Sequence, residues 1–194
     1  MAVIGVVVFE GAEELDFVGP WEVFTAAAAL AGGGDVVKLL GEACVPVRCA
    51  KGMVVVPDTA WADAPALDVL VVPGGDGRRA QMYHPPMRAL LERVAPGCQW
   101  VTSVCTGALV LAAAGLLDGR QVTTHWSRLD ELRGYPVVVR DDARWVVDGN
   151  VVTAAGVSAG IDMALWLVGQ LWTPTFAREV QRYLEYEPRP PYAD

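Results

Sequence analysis

Three short apolar runs constrain the fold of this chain more than any other feature. The runs are Val3–Phe9, Asp68–Val72 and Trp100–Val104, and none alternates regularly between polar and apolar residues. Such runs are typical of parallel strands that helices cover on both faces. Because segments with helical patterns separate the runs, the sequence predicts an α/β protein with a layered, mostly parallel sheet.

The length and composition fit one folded unit. The chain has 194 residues, of which 53% are hydrophobic and 20% charged, and it has neither an internal repeat nor a long linker. A chain of this size can bury a sizeable core. We therefore expect a single domain over residues 1–194, a flavodoxin-like layered sandwich. The segment Glu187–Asp194 contains three prolines and is predicted to be extended.

Charge and hydropathy argue against several kinds of partner. The formal net charge of −8 repels phosphate backbones and anionic lipid surfaces, so we expect no nucleic acid or membrane partner. The apolar run at the N-terminus is short and lacks a basic flank, which predicts a strand and not a signal peptide. No apolar stretch reaches the roughly 18 residues of a membrane span. These features predict a cytoplasmic protein.

The four cysteines are expected to be free thiols. No two of the cysteines form a C-x-x-C pair, and the chain has only two histidines. The cysteines are Cys44, Cys49, Cys98 and Cys105. A cytoplasmic location favours reduced cysteines over disulfides. The residue set therefore predicts no metal site, and nothing in the sequence calls for an organic cofactor.

Cys105 is the strongest candidate for chemistry. It stands where an apolar strand runs directly into the small-residue segment Thr106–Leu117, the strand–turn–helix setting of a nucleophile elbow. The partial positive charge of a helix N-terminus favours a thiolate there. The alternative, a small buried hydrophobe, would suit most other cysteines better than one at this corner.

Two further segments end at the same predicted edge of the sheet. Pro73–Gly77 follows the second apolar run, and ligands of parallel sheets gather beyond the carboxyl ends of the strands. The backbone N–H groups of Gly75 and Thr106 can form an oxyanion hole there, although a glycine-rich loop can also be only a tight turn.

A carboxylate and a histidine complete the candidate set. Asp16, between Leu15 and Phe17, is the acid best placed to point inward after the first strand, where burial can shift its pKa. His125, in Thr123–Trp126, ends another strand on the same side and can either contact the site or serve as a structural histidine.

Together these segments resemble the ThiJ/PfpI superfamily, which is related in fold to class I glutamine amidotransferases. The resemblance spans nearly the whole chain. It rests on five segments, Gly11–Asp16, Pro73–Gly75, Val101–Gly107, Thr123–Trp126 and Gly156–Asp162. Ser-Val-Cys-Thr-Gly and Thr-Thr-His-Trp are specific to the branch that holds isocyanide hydratases and the sensor domains of AraC-type regulators. Other branches commonly place histidine where this chain has Thr106, which weakens a peptidase interpretation.

The resemblance implies a function and a set of roles. It implies an isonitrile hydratase, a lyase in which Cys105 attacks the substrate carbon, Asp16 transfers protons and the Thr106 hydroxyl assists. Gly74, Gly75, Val157 and His125 would line the substrate pocket. The small-molecule partner would be an isonitrile, no cofactor would be needed, and the protein would be a homodimer, as family members usually are.

Two alternatives stay open at this point. One is the ligand-sensing domain of an AraC-type regulator, although the chain stops at Asp194 without a helix-turn-helix segment and is acidic. The other is a different cysteine-dependent enzyme, of the deglycase or glyoxalase kind.

Overall fold

The computed structural model describes residues 1–189. Within that range the chain alternates between strands and helices, as the apolar runs predict. The strands are β1 (Val3–Val7), β2 (Val36–Gly41), β3 (Val47–Arg48), β4 (Val54–Val55), β5 (Thr59–Ala60), β6 (Val69–Val72), β7 (Trp100–Val104), β8 (Gln121–Val122), β9 (Val138–Val139), β10 (Trp145–Asp148) and β11 (Val151–Ala154). The helices are α1 (Glu14–Ala31), α2 (Arg78–Gln81), α3 (Pro85–Val94), α4 (Gly107–Ala113), α5 (Leu129–Leu132), α6 (Ala159–Leu171) and α7 (Pro174–Tyr183).

One seven-stranded sheet organises the fold, in the order β10-β11-β7-β6-β1-β2-β5. Every neighbouring pair is parallel except β10 and β11, which form an antiparallel hairpin at one edge. The three apolar runs predicted as buried strands become β1, β6 and β7, side by side in the middle. The carboxyl ends of these three strands therefore meet at one edge of the sheet.

Helices cover both faces of the sheet, as predicted. Helices α1, α6 and α7 pack against one another, while α4 packs with α2 and α5 and against β6 and β7. The two groups lie on opposite faces of the sheet. The connection from β1 to β2 runs toward one edge of the sheet and the connection from β6 to β7 runs toward the other, so right-handed crossovers place their helices on opposite faces. The observed architecture is thus the predicted α/β layered sandwich.

Some boundaries differ from the sequence pattern. Proline is common in the first turn of a helix, and from sequence this would place the start of the first helix close to Pro20; α1 in fact begins at Glu14, and Pro20 lies inside it. Proline removes the hydrogen bond to the carbonyl four residues earlier and its ring crowds that carbonyl, and the burial of apolar residues such as Phe17, Val23 and Phe24 favours the helix in spite of this cost. Residues 190–194, the end of the proline-rich segment predicted to be extended, lie outside the described residues.

Among residues 1–189, no helix is both long enough and apolar enough to cross a bilayer.

Candidate active site

Cys105 occupies the corner between β7 and α4 in a strained backbone conformation. Its φ is +55°, in the left-handed region that residues with a side chain rarely adopt. The backbone on both sides is fixed: its N–H donates to the carbonyl oxygens of Ala154 (3.1 Å) and Ala155 (2.9 Å). Its own carbonyl accepts from the Thr124 hydroxyl at 2.7 Å. The surrounding structure therefore holds the nucleophile-elbow geometry that the sequence predicts.

Asp16 lies against the Cys105 thiol. The first turn of α1 places this carboxyl group in the interior, where it is fully buried. Its Oδ2 accepts from the Gly74 N–H at 2.9 Å, and its Oδ1 is buried without a hydrogen-bond partner among residues 1–189. Burial raises the pKa of Asp16 from 3.8 to about 7, opposed by hydrogen bonds from Gly74 and from Cys105. Asp16 can therefore both accept and donate a proton near neutral pH.

The surroundings of Cys105 raise the pKa of its thiol, which is the direction opposite to the effect of a helix N-terminus. Burial, together with the charge of Asp16, raises the pKa of Cys105 to about 12. Hydrogen bonds from the backbone of Thr106 and Val157 and from the Thr106 hydroxyl act in the opposite direction. Helix α4 is short and apolar, so desolvation outweighs whatever its dipole contributes.

The glycine loop Gly74–Gly75 holds two of the side chains beside the Cys105 thiol. The Gly75 N–H donates to the Thr106 hydroxyl oxygen at 3.1 Å, and the Gly74 N–H is taken by Asp16. A side chain at Gly74 would lie 2.3 Å from the Thr106 hydroxyl, so only glycine fits. The two N–H groups of this loop thus hold the two side chains beside the thiol, and an oxyanion hole formed by Gly75 and Thr106 stays a prediction.

Val157 provides a donor where Gly75 does not. Its φ is +43°, which is unusual for a β-branched residue and marks a second strained position at this edge of the sheet. The backbone groups of Val157 and Thr106 both lie at the thiol, where they lower the pKa of Cys105. These two N–H groups are the ones available to stabilise negative charge that develops near Cys105.

His125 lies at the site but its ring is already engaged. Its Nδ1 is 2.9 Å from the Ser127 hydroxyl and accepts from the Ser127 N–H at 3.3 Å, which caps the 3-10 turn at residues 126–128. Burial and the nearby Arg128 lower the pKa of His125. His125 therefore combines both interpretations offered by the sequence, a structural cap and a wall of the site.

Backbone hydrogen bonds join the loops that carry these residues. The Glu13 N–H donates to the Gly74 carbonyl (3.0 Å), and the Gly77 N–H donates to the Gly11 carbonyl (3.1 Å). A Cβ atom on Gly77 would lie 1.8 Å from the Glu10 carbonyl oxygen, so the loops after β1 and β6 are in direct contact. Asp16 is thereby held at a fixed place relative to the thiol.

An open cavity of about 170 Å³ lies over Cys105. The predicted site residues Gly75, Thr106, His125 and Val157 line this cavity. It also contains charged residues that the sequence analysis did not single out: Glu13, Asp76, Arg78 and Arg128. Glu13 is paired with Lys51, and Arg78 is buried and paired with Glu131 at 2.7 Å. Asp16 is fully buried and is not among the residues that line the cavity.

A metal centre finds no support in the part of the chain that the structure describes. Within residues 1–189, no three His, Cys, Asp or Glu side chains are arranged to hold an ion. All four cysteines are free, with Cys44 exposed and the others buried.

Fold and site together define a class of protein: an α/β sandwich with a strained cysteine at the strand–helix corner and a buried acid beside its thiol. A family model described as the DJ-1/PfpI family matches residues 2–170. The chain therefore belongs to the DJ-1/PfpI family, as the sequence motifs predict.

Three proteins of this kind illustrate how similar the chain is to known relatives. An isonitrile hydratase from Pseudomonas putida is 42% identical over 190 residues, which cover 97% of this chain and 80% of that protein. The crystal structure of a ThiJ/PfpI family protein from Pseudomonas syringae has a TM-score of 0.92 at 35% identity and covers 98% of this chain and 77% of that one. The transcriptional regulator GbdR from Pseudomonas aeruginosa is 33% identical over 125 residues, 64% of this chain and 34% of the regulator.

Proposed function

We propose that this protein is an isonitrile hydratase, which converts R–NC and water to an N-formyl amine. The observation that carries the proposal is the buried pair of Cys105 and Asp16, in which a strained thiol lies beside a carboxyl group with a pKa of about 7. An isonitrile carbon must receive both a nucleophile and a proton, and this pair supplies both. The similarity to the hydratase from Pseudomonas putida agrees with the proposal.

The first step is addition of the thiol across the isonitrile carbon. As Cys105 Sγ attacks the terminal carbon, Asp16 takes the thiol proton and delivers it to that same carbon. The product of the step is a thioimidate, Cys–S–CH=N–R. A high thiol pKa does not block this route, because Asp16 removes the proton as the carbon–sulfur bond forms.

The second step is hydrolysis of the thioimidate. Water attacks the former isonitrile carbon, one water proton reaches the nitrogen, and the C–S bond breaks as the carbonyl forms. The other proton returns to Sγ through Asp16, so the enzyme is regenerated and R–NH–CHO is released. Thr106 and Val157 N–H groups, which lie at Sγ, would stabilise the negative charge that develops there as the bond breaks.

The proposal includes the remaining expectations. The chain would act as a single-domain homodimer in the cytoplasm, without a metal or organic cofactor, on a small isonitrile. Gly74 and Gly75 would position Asp16 and Thr106 at the substrate, and Gly75, His125 and Val157 would line its pocket.

The experiment that tests the proposal is steady-state hydration of para-nitrophenyl isocyanide, followed by absorbance of the formamide. We expect turnover by the wild-type protein and a loss of at least about 10³-fold in Cys105→Ala, since covalent catalysis is removed. Cys98→Ala, a change of an equally buried thiol, is the matched control and should retain turnover.

Two results would contradict the proposal. Turnover that survives in folded Cys105→Ala would exclude the covalent route. Absence of turnover in the folded wild-type protein, with saturable binding of the isonitrile, would favour the second candidate, a ligand-sensing domain. The similarity to GbdR supports that candidate. Turnover of methylglyoxal in place of isonitriles would identify an enzyme of the glyoxalase kind.

A further inference from the structure

Arg78 is a buried arginine in the wall of the cavity that contains Cys105. It follows the glycine loop at the start of α2, and only 2% of its side chain is exposed. Burial of a guanidinium is costly unless its charge and its N–H groups are satisfied. The partners of Arg78 therefore indicate what the cavity is built to hold.

The described chain satisfies Arg78 only in part. A guanidinium has five N–H donors. Nη2 donates to Glu131 Oε2 at 2.7 Å, while Nε is buried and has no acceptor among residues 1–189. Arg78 as a residue lines the cavity, so a bound molecule that carries an oxygen can supply a further acceptor to this guanidinium.

The charges around Arg78 leave room for an anion. Glu131 is shared by two arginines, since Arg128 Nε lies 3.9 Å from the same Oε2 atom. The three groups carry a net charge of +1 beside the cavity. The opposing acids are weak competitors, because Glu13 is paired with Lys51 and Asp76 is exposed to solvent.

We propose that this cavity is selective for isonitriles whose substituent carries a carboxylate, with Arg78 as the residue that binds it. The inference rests on the proposed function and adds the substrate class to it. Arginine suits this role because its planar N–H groups match the two oxygens of a carboxylate. A short substituent is enough to reach Arg78, because Arg78 and Cys105 line the same cavity of about 170 Å³.

The test compares two substrates of matched shape, 3-isocyanopropanoate and 1-isocyano-3-methylbutane, with formation of the formyl group followed by NMR. In the wild-type protein we expect kcat/KM for the acid to exceed that for the hydrocarbon by about 10- to 100-fold, mostly through KM. Equal values, or a preference for the hydrocarbon, would overturn the inference while leaving the hydratase activity intact.

Three variants separate binding of the carboxylate from a structural role. Arg78→Met should raise KM for the acid by about 10- to 100-fold and change kcat for either substrate by less than about threefold. Arg79→Met removes the same charge from the neighbouring exposed position and should leave the preference unchanged. Glu131→Gln removes the competing carboxylate and should lower KM for the acid.

Glu131→Gln keeps the inference testable if Arg78→Met does not fold, because it predicts a change of opposite sign without altering Arg78. A KM for the acid that does not fall in folded Glu131→Gln would count against Arg78 as the binding group. So would an Arg78→Met variant that is impaired equally on both substrates.

Failure of the hydratase proposal is distinguishable from failure of this inference. If neither isonitrile is hydrated, calorimetric titration of Cys105→Ala with N-formyl-β-alanine and with N-(3-methylbutyl)formamide measures the anion site directly. Tighter binding of the acid, lost in the double variant with Arg78→Met, would retain the carboxylate site without the hydration. Equal binding of the two amides would overturn the site as well.

Discussion

The two ends of β7 carry two buried cysteines in very different settings. Cys98 precedes the strand and Cys105 follows it, and they are almost equally buried, with 6% and 7% of the residue exposed. Burial raises the pKa of both, to about 11 and about 12. Cys98 has an ordinary φ of −74°, and its thiol donates to the Val94 carbonyl at 3.3 Å. Burial alone therefore does not distinguish a structural thiol from a candidate nucleophile.

The difference lies in the backbone and in the neighbouring acid. Cys105 is strained and has a buried carboxyl group in hydrogen-bonding contact, whereas Asp68 acts on Cys98 only through its charge. Asp68 is itself occupied, because its Oδ2 accepts from the Val3 N–H at 2.7 Å. A proton can pass between acid and thiol at one end of the strand but not at the other. Each prediction below tests one part of this contrast.

The largest expected effect is on turnover. Asp16→Asn should reduce kcat for hydration of para-nitrophenyl isocyanide by about 10²- to 10⁴-fold, since the proton carrier beside Cys105 is lost. Asp68→Asn removes the acid near Cys98 and should change kcat by less than about twofold, although it can lower stability through the lost bond to Val3. Equal losses in the two variants would erase the contrast between the acids.

The next effect is on stability as a function of pH. Because the folded pKa of Asp16 is raised to about 7 from 3.8, the folded protein binds more protons than the unfolded chain between these values. Stability should fall as pH rises from about 4 to about 7, by up to about 4 kcal/mol. Urea unfolding at several pH values should show that fall in wild type and Asp68→Asn. A similar fall in Asp16→Asn would mean that other groups cause it.

Alkylation rates should separate charge from proton transfer. The negative charge of Asp16 raises the pKa of Cys105, so Asp16→Asn should speed reaction of Cys105 with iodoacetamide while it slows hydration. We expect a change of about 3- to 10-fold at pH 8, read by mass spectrometry for each cysteine. Cys98 should keep its wild-type rate in Asp16→Asn and react faster in Asp68→Asn. The exposed Cys44 serves as the internal standard. Slower alkylation of Cys105 in Asp16→Asn would contradict the assignment.

The smallest effect concerns the backbone. At φ +55° glycine is free of the strain that any Cβ atom meets, so Cys105→Gly should be more stable than Cys105→Ala by about 1 kcal/mol. At Cys98 the order should reverse, because an ordinary φ gives glycine only an entropic penalty. Thermal unfolding of the four variants measures both differences. If glycine and alanine ranked in the same order of stability at both positions, backbone strain would not distinguish Cys105 from Cys98.

The central sheet and the position of the thiol could be read from local sequence. Val3–Phe9 and Asp68–Val72 are apolar over most of their length, so their burial as parallel strands follows from composition alone. Cys105 stands where a strand pattern changes to a helix pattern. The apolar neighbours of Asp16 predict that its carboxyl group points inward, and the structure buries it. The catalytic roles of these residues stay predictions.

Side-chain partners far apart in the chain could not be read in this way. Arg78 follows Pro-Gly-Gly-Asp-Gly and resembles any charged residue at a surface turn, while its partner Glu131 is 53 positions away. Likewise, the bond from the Gly75 N–H to Thr106 joins two loops that the sequence separates. One signal was available: Asp130 and Glu131 follow His125 closely, at the same predicted edge of the sheet.

The loops around Cys105 are joined through main-chain groups, and this has a consequence for evolution. The bonds from Glu13 to Gly74 and from Gly77 to Gly11 need glycine where the loops touch, but they use main-chain groups and do not involve the side chains that line the cavity. A lineage can therefore exchange residues such as Arg78 or His125, which face the cavity, without moving the thiol or its acid. Proteins that descend from one ancestor would then keep the thiol and its neighbouring acid while the molecules that they bind change. Some of them would keep catalytic turnover, and others would only bind their ligand.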